Sequence, residues 1–321
     1  MMRWGLLGPG GIAEKAFVPA VRGAGHALEA VGSRDPDRAR AFAAAHDARA
    51  AGSYDDVLAN ERVEAVYIAL PNDLHAEWAT KARAAGRHVL CEKPLTHDVE
   101  STRALAEAAT DGGPLLMEAA MAYFHPRMQA LLEAVQDGRI GAVVAVDAAF
   151  TYPMRKPANY RERLEHGGGA LLDVGYYGVA ASRWVTGQEP FAAVGFTRRG
   201  PTGVDVLTSA ALAFPSGVQA QVRAGFEGTV HQWLSVLGTQ GVLATPHAYN
   251  PGEDIDAVLL LDGAPIGTWR ADPYAAMLRA FEQAVEGGAQ ALPPSDAVGS
   301  AEALELVRSS LVDAPPAAGD R

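Results

Sequence analysis

The sequence predicts an α/β fold in two parts, a doubly wound parallel sheet followed by an α+β part with a large, mostly antiparallel sheet. Two observations carry this prediction. Short apolar runs alternate with amphipathic helical stretches over the first 120 residues, which is typical of parallel strands joined by helices. From residue 191 to 270 most runs are strand-like and separated by Gly/Pro turns, which indicates antiparallel pairing.

The first part supplies the strands and helices of the parallel sheet. Strands are predicted at 3–7, 27–33, 63–70, 87–91 and 115–119, and helices at 11–21, 36–46, 74–85 and 98–109. The run 63–70 is almost continuously apolar, as expected of a central strand covered on both faces. Pro36 suits a first helical position, and Gly86 suits a helix C-cap. We assign residues 1–122 to a first domain.

The alternation of predicted strands and helices ends after residue 122. A helix is predicted at 126–137 and a long strand at 142–152, followed by a polar, basic stretch and three glycines. Helices at 273–286 and 296–311 follow the strands of the large sheet. We assign 123–312 to a second domain that binds substrate and forms oligomers, and 313–321 to a disordered tail.

Charge and cysteine content exclude several classes of protein. The chain has 321 residues, 27 Lys plus Arg and 38 Asp plus Glu, which give a net charge of −11. This balance argues against nucleic acid and anionic membranes as partners. The one cysteine, Cys91, excludes an intrachain disulfide framework, and the N terminus lacks the long apolar core of a signal peptide. We therefore expect a cytoplasmic protein.

A glycine-rich turn links the first predicted strand to the first helix. Gly8, Gly10, Gly11 and Ile12, followed by Ala13, match the pattern G-x-G-x-x-G/A. In this pattern the glycines allow a tight turn and close approach of a pyrophosphate to the backbone, and the helix N-terminus offers free N–H groups. The position indicates a Rossmann domain that binds a dinucleotide, although a glycine-rich turn without a ligand is the alternative.

The end of the second predicted strand bears on the choice of cofactor. Ser33 and Arg34 stand where an NAD-specific site places a carboxylate, and both can bind a 2′-phosphate. Asp35 follows one position late and could instead cap the helix that begins at Pro36. We therefore expect NADP, with NAD possible, while the alternative is that Arg34 is simply solvated.

Polar residues follow the next two strands. Asn72 and His75 come after the buried run, and Glu92 and Lys93 after the strand that follows it. Because ligands bind at the carboxyl ends of parallel strands, these four residues are candidates for cofactor binding. Lys93 is also a candidate for polarising a substrate oxygen, but most lysines at strand ends are only solvated charges.

These motifs together resemble the glucose–fructose oxidoreductase / inositol dehydrogenase / rhizopine-catabolism family of nicotinamide-dependent oxidoreductases. The resemblance covers nearly the whole chain. It rests on the glycine turn, Asn72 with His75, Glu92-Lys93-Pro94 and the run 167–175. Further matching segments lie at 238–241 and 272–274. The segments 117–119 and 125–126 look more like the dihydrodiol and xylose dehydrogenase branch.

The resemblance implies that Lys93 is catalytic and directs attention to Asp173 and Tyr177. These two are four residues apart on a helix that begins after three glycines, so both project from one face. Many members of the family have a histidine where this chain has Tyr177. A tyrosine can act as general acid and base if a nearby cation lowers its pKa. Whether Tyr177 or Lys93 moves the proton stays open, and packing against the sheet is the alternative role for Tyr177.

Three further residues are predicted to bind substrate, namely His125, Tyr160 and Arg163. Tyr160 and Arg163 belong to a basic, aromatic stretch that also contains Arg155, Lys156 and Arg161. The alternative is that this stretch is a solvated loop and that His125 caps a helix. The nine histidines lack metal-ligand spacing, so no metal site is predicted.

The expected activity is NADP-dependent transfer of a hydride to or from a sugar, polyol or vicinal diol, with a small hydroxylated molecule as substrate. Alternatives are a cofactor-recycling glycosidase or epimerase on the same scaffold, and a nicotinamide-binding regulator without turnover. The open face of the second sheet needs covering, most simply by another subunit, so we expect a homodimer or homotetramer.

Overall fold

The computed structural model describes residues 1–154 and 160–315. Its first sheet consists of strands β1 (Arg3–Leu7), β2 (Ala27–Gly32), β3 (Ala50–Gly52), β4 (Ala65–Ile68), β5 (His88–Cys91) and β6 (Leu116–Glu118). All neighbours pair in parallel, in the order β3-β2-β1-β4-β5-β6. All four residues of β4 are buried, as expected of a central strand. The predicted doubly wound parallel sheet is confirmed.

Helices follow the strands of this sheet at α1 (Val18–Gly23), α2 (Pro36–Ala45), α3 (Tyr54–Ala59), α4 (His75–Ala84) and α5 (Val99–Ala108). A π-helical turn, Ala13–Phe17, precedes α1. Neither β3 nor α3 was predicted, because β3 has three small residues and α3 is short. A signal for α3 was nonetheless present, since Ser53 and Asp56 form a capping box at its start.

The second sheet begins after α6 (Met121–Phe124) and α7 (Pro126–Gln136). Its nine strands are β7 (Val143–Thr151), β8 (Ala192–Arg199), β9 (Asp205–Ala213), β10 (Gln219–Gly225), β11 (His231–Gly238), β12 (Val242–Pro246), β13 (Ala257–Leu261), β14 (Ala264–Trp269) and β15 (Leu311–Asp313). They lie in the order β14-β13-β12-β11-β7-β10-β9-β8-β15. Only the pairs β7–β10 and β8–β15 are parallel within the described sheet, so the prediction of a mostly antiparallel sheet is confirmed.

One face of the second sheet is covered by α8 (Tyr176–Thr186). The helix packs closely because Gly178 has no side chain: an added Cβ would lie 2.9 Å from Val222 and 3.1 Å from Ala148. On the same face Val146, Val222 and Leu234 are buried. The buried face of this sheet therefore forms the core of the C-terminal part of the protein.

The chain divides into two compact units that are not continuous in sequence. One contains Met1–Met121 and Tyr274–Val298, and the other contains Ala122–Pro273 and Gly299–Arg321. The helices α9 (Pro273–Val285) and α10 (Pro294–Ser310) were placed in the domain 123–312, whereas most of α9 belongs to the first unit. The reason is aromatic packing, since the ring of Phe281 lies 5.1 Å from Trp4, which in turn contacts Phe17.

The end of the chain is partly described. Asp313, the first residue of the predicted tail, is the last residue of β15, which pairs with β8. Residues 316–321 lie outside the described residues. No helix in the described part of the chain is long and apolar enough to cross a membrane.

Candidate active site

The glycine-rich turn after β1 has the geometry of a phosphate cradle. Gly8 has a φ of 94°, and an added Cβ would lie 2.6 Å from the carbonyl oxygen of Ala69, so only glycine fits there. At Gly11 an added Cβ would meet nothing within 4 Å, and at Gly10 it would meet only the Gly8 oxygen at 3.9 Å. The backbone of Gly10 and Gly11 is thus open to a ligand, and Ile12 beside it is 38% exposed.

Two arginines lie near this turn at the end of β2. Arg34 hydrogen-bonds the hydroxyl of Tyr54; burial raises the pKa of that hydroxyl, and the charge of Arg34 opposes the rise. Arg38 donates from Nε and Nη2 to the carbonyl oxygen of Pro9, at 3.1 and 2.6 Å. Sequence reasoning missed Arg38, although its place in the first turn of α2, four residues after Arg34, was a usable signal.

The other residues at this strand end bind each other. The Asp35 carboxylate accepts hydrogen bonds from the N–H groups of Asp37 and Arg38 and so caps α2. The backbone N–H of Asp35 donates to the Ser33 hydroxyl at 3.1 Å. Asp35 therefore has the capping role that was one alternative in the sequence.

His75 lies inside the first unit rather than at its surface. It is fully buried, with Nδ1 3.0 Å from the carbonyl oxygen of Pro94 and Nε2 2.9 Å from that of Leu70. Burial lowers the pKa of His75, against the effect of these carbonyls. Its ring ties the end of β4 to the backbone beside Lys93, so it positions that segment, and its predicted contact with cofactor stays a prediction. Asn72, also buried, begins the short 3₁₀ turn Asn72–Leu74, which lies between β4 and α4.

Glu92 is buried beside Lys93 and is bound by two tyrosines. The hydroxyl of Tyr67 donates to its Oε1, and Tyr274 Oη lies 3.4 Å from the same oxygen. Burial raises the pKa of Glu92, opposed by the charge of Lys93 and by the Tyr67 hydrogen bond. The backbone N–H of Lys93 also donates to this carboxyl group at 3.2 Å. Glu92 therefore fixes the Lys93 backbone; its predicted contact with cofactor is not tested by these bonds.

In the second unit, Asp173 is the centre of a polar network. Tyr152 donates its hydroxyl to Asp173 Oδ2 at 2.8 Å, and Arg161 Nε lies 2.9 Å from the same oxygen. Burial disfavours the charge of Arg161, but the Asp173 carboxylate outweighs it and the pKa of Arg161 is raised. Burial and Asp173 both raise the pKa of Tyr152, which stays a hydrogen-bond donor. This arrangement stabilises Asp173 as a carboxylate. Tyr152 was missed by the sequence reasoning because nothing in its strand pattern marks it.

The glycine run before Asp173 lets this network form. An added Cβ at Gly168 would lie 2.5 Å from the Arg161 carbonyl oxygen, and one at Gly169, whose φ is 114°, would lie 2.0 Å from Asp205 Oδ1. Asp205 Oδ2 in turn accepts the N–H of Leu171 at 2.7 Å. The absence of a side chain therefore leaves room for the Arg161 backbone at Gly168 and for the Asp205 carboxylate at Gly169.

Tyr177 follows a π-helical turn, Leu171–Gly175, and is the second residue of α8. It is 6% exposed, and its ring stacks with that of Tyr249 at 5.4 Å between centroids. Phe150 contacts it at the same distance. The neighbouring Tyr176 is fully buried. Of the two adjacent tyrosines, Tyr177 is thus the one that keeps some exposure.

The predicted substrate-binding residues take different positions. His125 is fully buried and caps α7, its Nδ1 accepting the N–H of Arg127 at 3.1 Å. Tyr160 lies under the guanidinium of Arg161, at 4.6 Å from its ring centroid. The side chain of Arg163 is exposed, and its carbonyl oxygen accepts the N–H of Gly168. Contact of these residues with substrate stays a prediction, and Arg155 and Lys156 lie outside the described residues.

In the described ranges, no group of three or more His, Cys, Asp or Glu side chains is arranged to bind a metal ion. The donors that are present suit a phosphorylated dinucleotide instead: the exposed backbone at Gly11, where an added Cβ would meet nothing within 4 Å, with the guanidinium groups of Arg34 and Arg38 beyond the end of β2.

Comparison with known proteins gives matches over both units. Residues 2–119 match the model of the GFO/IDH/MocA oxidoreductase family, NAD-binding Rossmann fold, and residues 128–244 match the GFO/IDH/MocA C-terminal domain. D-xylose 1-dehydrogenase (NADP(+)) 2 of Haloferax volcanii is 37% identical over 294 residues, covering 89% of this chain and 90% of that protein. Trans-1,2-dihydrobenzene-1,2-diol dehydrogenase of Sus scrofa is 33% identical over 250 residues, covering 75% and 73%. The crystal structure of KijD10, a 3-ketoreductase from Actinomadura kijaniata, in complex with NADP and TDP-benzene, superposes with a TM-score of 0.89 at 32% identity, covering 97% of this chain and 98% of that one.

Proposed function

Since the chain belongs to the GFO/IDH/MocA family of oxidoreductases, we propose that it is an NADP(H)-dependent enzyme that oxidises a carbinol or reduces a carbonyl of a sugar, polyol or vicinal diol. The observation that carries the cofactor assignment is the open backbone at Gly10 and Gly11 with Arg34 and Arg38 near it. The substrate class is supported by the relatives, which are named as a xylose dehydrogenase, a diol dehydrogenase and a 3-ketoreductase.

The cofactor supplies the hydride acceptor or donor, and the protein supplies binding, orientation and a path for the proton. We assign the proton to Tyr177, whose phenolate takes it from the substrate hydroxyl during oxidation and whose hydroxyl gives it back during reduction. Lys93 is assigned as a second catalytic residue, a cation that can polarise a substrate oxygen. Asp173, held as a carboxylate by Arg161 and Tyr152, is assigned to accept a hydrogen bond from a substrate hydroxyl.

Two alternatives use the same residues differently. A glycosidase or epimerase that recycles its cofactor would convert substrate without net change in NADPH, whereas a dehydrogenase accumulates it. A regulator would bind NADP tightly and turn over no member of a broad substrate panel. The network around Asp173 favours an enzyme, because a regulator has no need of a carboxyl group bound by both an arginine and a tyrosine.

We also propose that the outer face of the second sheet binds another copy of the chain. This face, opposite α8, carries half-exposed or exposed apolar side chains on two of its strands, Val194 and Phe196 on β8 and Trp233 and Leu237 on β11. An exposed apolar sheet face is unusual for a monomer. The expected assembly is a homodimer or homotetramer.

The one cysteine, Cys91, buried and reduced, supports placement in the cytoplasm.

The assignment of Lys93 and Tyr177 is tested by steady-state assays with NADP and NADPH against aldoses, polyols, diols and dicarbonyls. In Lys93→Ala and Tyr177→Phe we expect kcat to fall by roughly 10²-fold or more, because each removes part of the proton transfer. The Kd for NADP should stay within about threefold in Tyr177→Phe and be largely kept in Lys93→Ala.

The matched control is Lys81→Ala, which removes an exposed lysine paired with Glu77 on α4 and should keep the wild-type kcat. Rates like those of the wild type in Lys93→Ala or Tyr177→Phe would contradict the assignment. Tight NADP binding without turnover of any panel member would favour the regulator instead.

A further inference from the structure

The segment that follows β12, residues 247–250, is fixed on one side by a buried arginine. Arg127 is fully buried on α7, and its guanidinium donates to the carbonyl oxygens of His247, at 3.0 Å, and of Ala248. Burial lowers the pKa of Arg127 to about 10, which leaves the side chain charged at neutral pH. A charged donor held inside the protein by backbone carbonyls fixes the path of those carbonyls.

The same segment is fixed on its other side by Gln232 of β11. The Oε1 atom of Gln232 accepts the backbone N–H groups of Tyr249 and Asn250, both at 3.0 Å. The backbone N–H of His247 donates to the Gln232 carbonyl oxygen at 3.0 Å. His247 has a φ of 50°, in the left-handed region that few residues other than glycine adopt, so these bonds hold a conformation that the free chain would seldom take.

The consequence of this fixing is the placement of one aromatic ring. Tyr249 is fully buried, and its hydroxyl donates to the carbonyl oxygen of Trp233 at 3.1 Å. Its ring lies 5.4 Å from that of Tyr177, with 30° between the planes, and 5.7 Å from that of Phe150, with 13°. Phe150 also contacts Tyr177. The Tyr177 ring thus packs against those of Phe150 and Tyr249, and also against that of Tyr176, so its neighbours limit the rotation of its side chain.

We propose that Tyr249, held by Gln232 and Arg127, is a positioning residue that sets the direction of the Tyr177 hydroxyl toward the reacting oxygen. The inference rests on the proposed function, in which Tyr177 carries the proton. Tyr249 itself does not exchange a proton with substrate, because its hydroxyl is bound to the Trp233 carbonyl. Its role is to reduce the freedom of a general acid and base, for which a misplacement of about 1 Å can cost roughly 10²-fold in rate.

The experiment measures kcat and KM for Tyr249→Leu, Tyr249→Phe, Tyr177→Phe and the double variant Tyr177→Phe/Tyr249→Leu. The assays use NADP with D-xylose, or with the panel substrate that the wild type turns over fastest. We expect Tyr249→Leu to lose about 10- to 100-fold in kcat, with the KM for NADP within about twofold. Tyr249→Phe keeps the ring and should recover most of kcat.

The double variant distinguishes positioning from general destabilisation. If Tyr249 acts through Tyr177, the double variant should be no slower than Tyr177→Phe alone, because the positioned hydroxyl is already absent. The control is Phe214→Leu, a buried aromatic residue of the same unit that makes no ring contact with Tyr177 among the described pairs. It should lower the Tm and leave kcat within about twofold.

Three outcomes would overturn the inference: an unchanged kcat in Tyr249→Leu, an equal loss in Tyr249→Phe, or additive losses in the double variant. An unchanged kcat in Tyr177→Phe would instead overturn the proposed proton transfer. If Tyr249→Leu does not fold, Gln232→Ala decides, because it frees the N–H groups of Tyr249 and Asn250 and keeps the ring. A kcat loss of about fivefold or more that disappears in the Tyr177→Phe background supports the inference, and an unchanged kcat overturns it.

Discussion

Arg34 and Arg38 offer the most direct test at the scale of single residues. We expect Arg34→Ala and Arg38→Ala to raise the Kd for NADP by about 10- to 100-fold, since a charged hydrogen bond is typically worth about 1.5–3 kcal/mol. The Kd for NAD, which lacks the 2′-phosphate, should rise less than that for NADP in both variants. The rise for NAD should be larger in Arg38→Ala than in Arg34→Ala, because Arg38 also binds the Pro9 carbonyl oxygen.

Titration with NADPH and NADH, followed by fluorescence, measures both constants. Arg40→Ala is the matched control, because Arg40 is an exposed arginine of the same helix that pairs with Asp37. Equal losses for the two cofactors in Arg34→Ala would show that this residue does not bind the 2′-phosphate.

His125 predicts how the stability of the protein depends on pH. Burial and the neighbouring Arg127 lower the pKa of His125 to about 4, from an ordinary value of 6.5. The unfolded chain therefore binds more protons than the folded one between these values, and stability falls as the pH falls from about 6.5 to about 4. A shift of this size corresponds to roughly 3 kcal/mol, and the lowered pKa of His75 acts with the same sign.

Denaturant unfolding at pH 7 and at pH 4.5 measures this effect. His125→Asn keeps a capping side chain without a titrating ring, so its free energy of unfolding should fall less between the two pH values. His125→Ala should show the same smaller fall but lower stability at both, by about 1 kcal/mol. A fall in His125→Asn as large as in the wild type would mean that His125 is not responsible.

At the scale of elements, the sequence predicted best where local signals and burial agree. The strands around β4 and the helices at α2, α4 and α5 lie within a few residues of their predicted bounds, because apolar runs and caps mark them. The polar network of Asp173 was only half predicted. Asp173 was marked by the glycines before it, whereas its partner Tyr152 comes 21 residues earlier, directly after β7, and no local pattern brings the two together.

The glycine run supplies a prediction about the start of the helix that carries Asp173 and Tyr177. Gly169→Ala should lower the free energy of unfolding by roughly 3 kcal/mol or more and reduce kcat, because it combines an unfavourable φ with a Cβ 2.0 Å from Asp205 Oδ1.

Gly187→Ala is the control at the other end of α8. Gly187 also has a positive φ, 62°, but an added Cβ meets nothing within 4 Å, so only the cost of about 1 kcal/mol for the conformation is expected. Thermal unfolding and kcat of the two variants give the comparison, and an equal loss of stability in both would contradict the steric explanation.

At the scale of the whole molecule, the two sheets and their order were predictable from the change of rhythm near residue 122. The return of Tyr274–Val298 to the first unit was not predictable, because the contacts of Phe281 with Trp4 join residues at opposite ends of the chain.

The outer face of the second sheet gives the prediction that belongs to this scale. Light scattering after size-exclusion chromatography should show a dimer or tetramer for the wild type and a smaller assembly for Phe196→Glu.

The control for this experiment is Ile255→Glu. Ile255 is also an exposed apolar residue of the second unit, 37% exposed, but it lies in the loop before β13 and not on the outer face. A wild type with the mass of a single chain, or an unchanged mass in Phe196→Glu, would contradict association through this face.

The late return of the chain to the first unit has a consequence for synthesis. Trp4 and Phe17 leave the ribosome first, but their partner Phe281 is made only after the whole second sheet except β15. Part of the apolar core of the nucleotide-binding unit therefore stays uncovered until residue 298 has emerged from the ribosome. Folding of the two halves during translation is then not a simple succession from the N terminus: the half that begins first is completed late, and a ribosome stalled before Tyr274 would hold a nascent chain with an exposed aromatic surface.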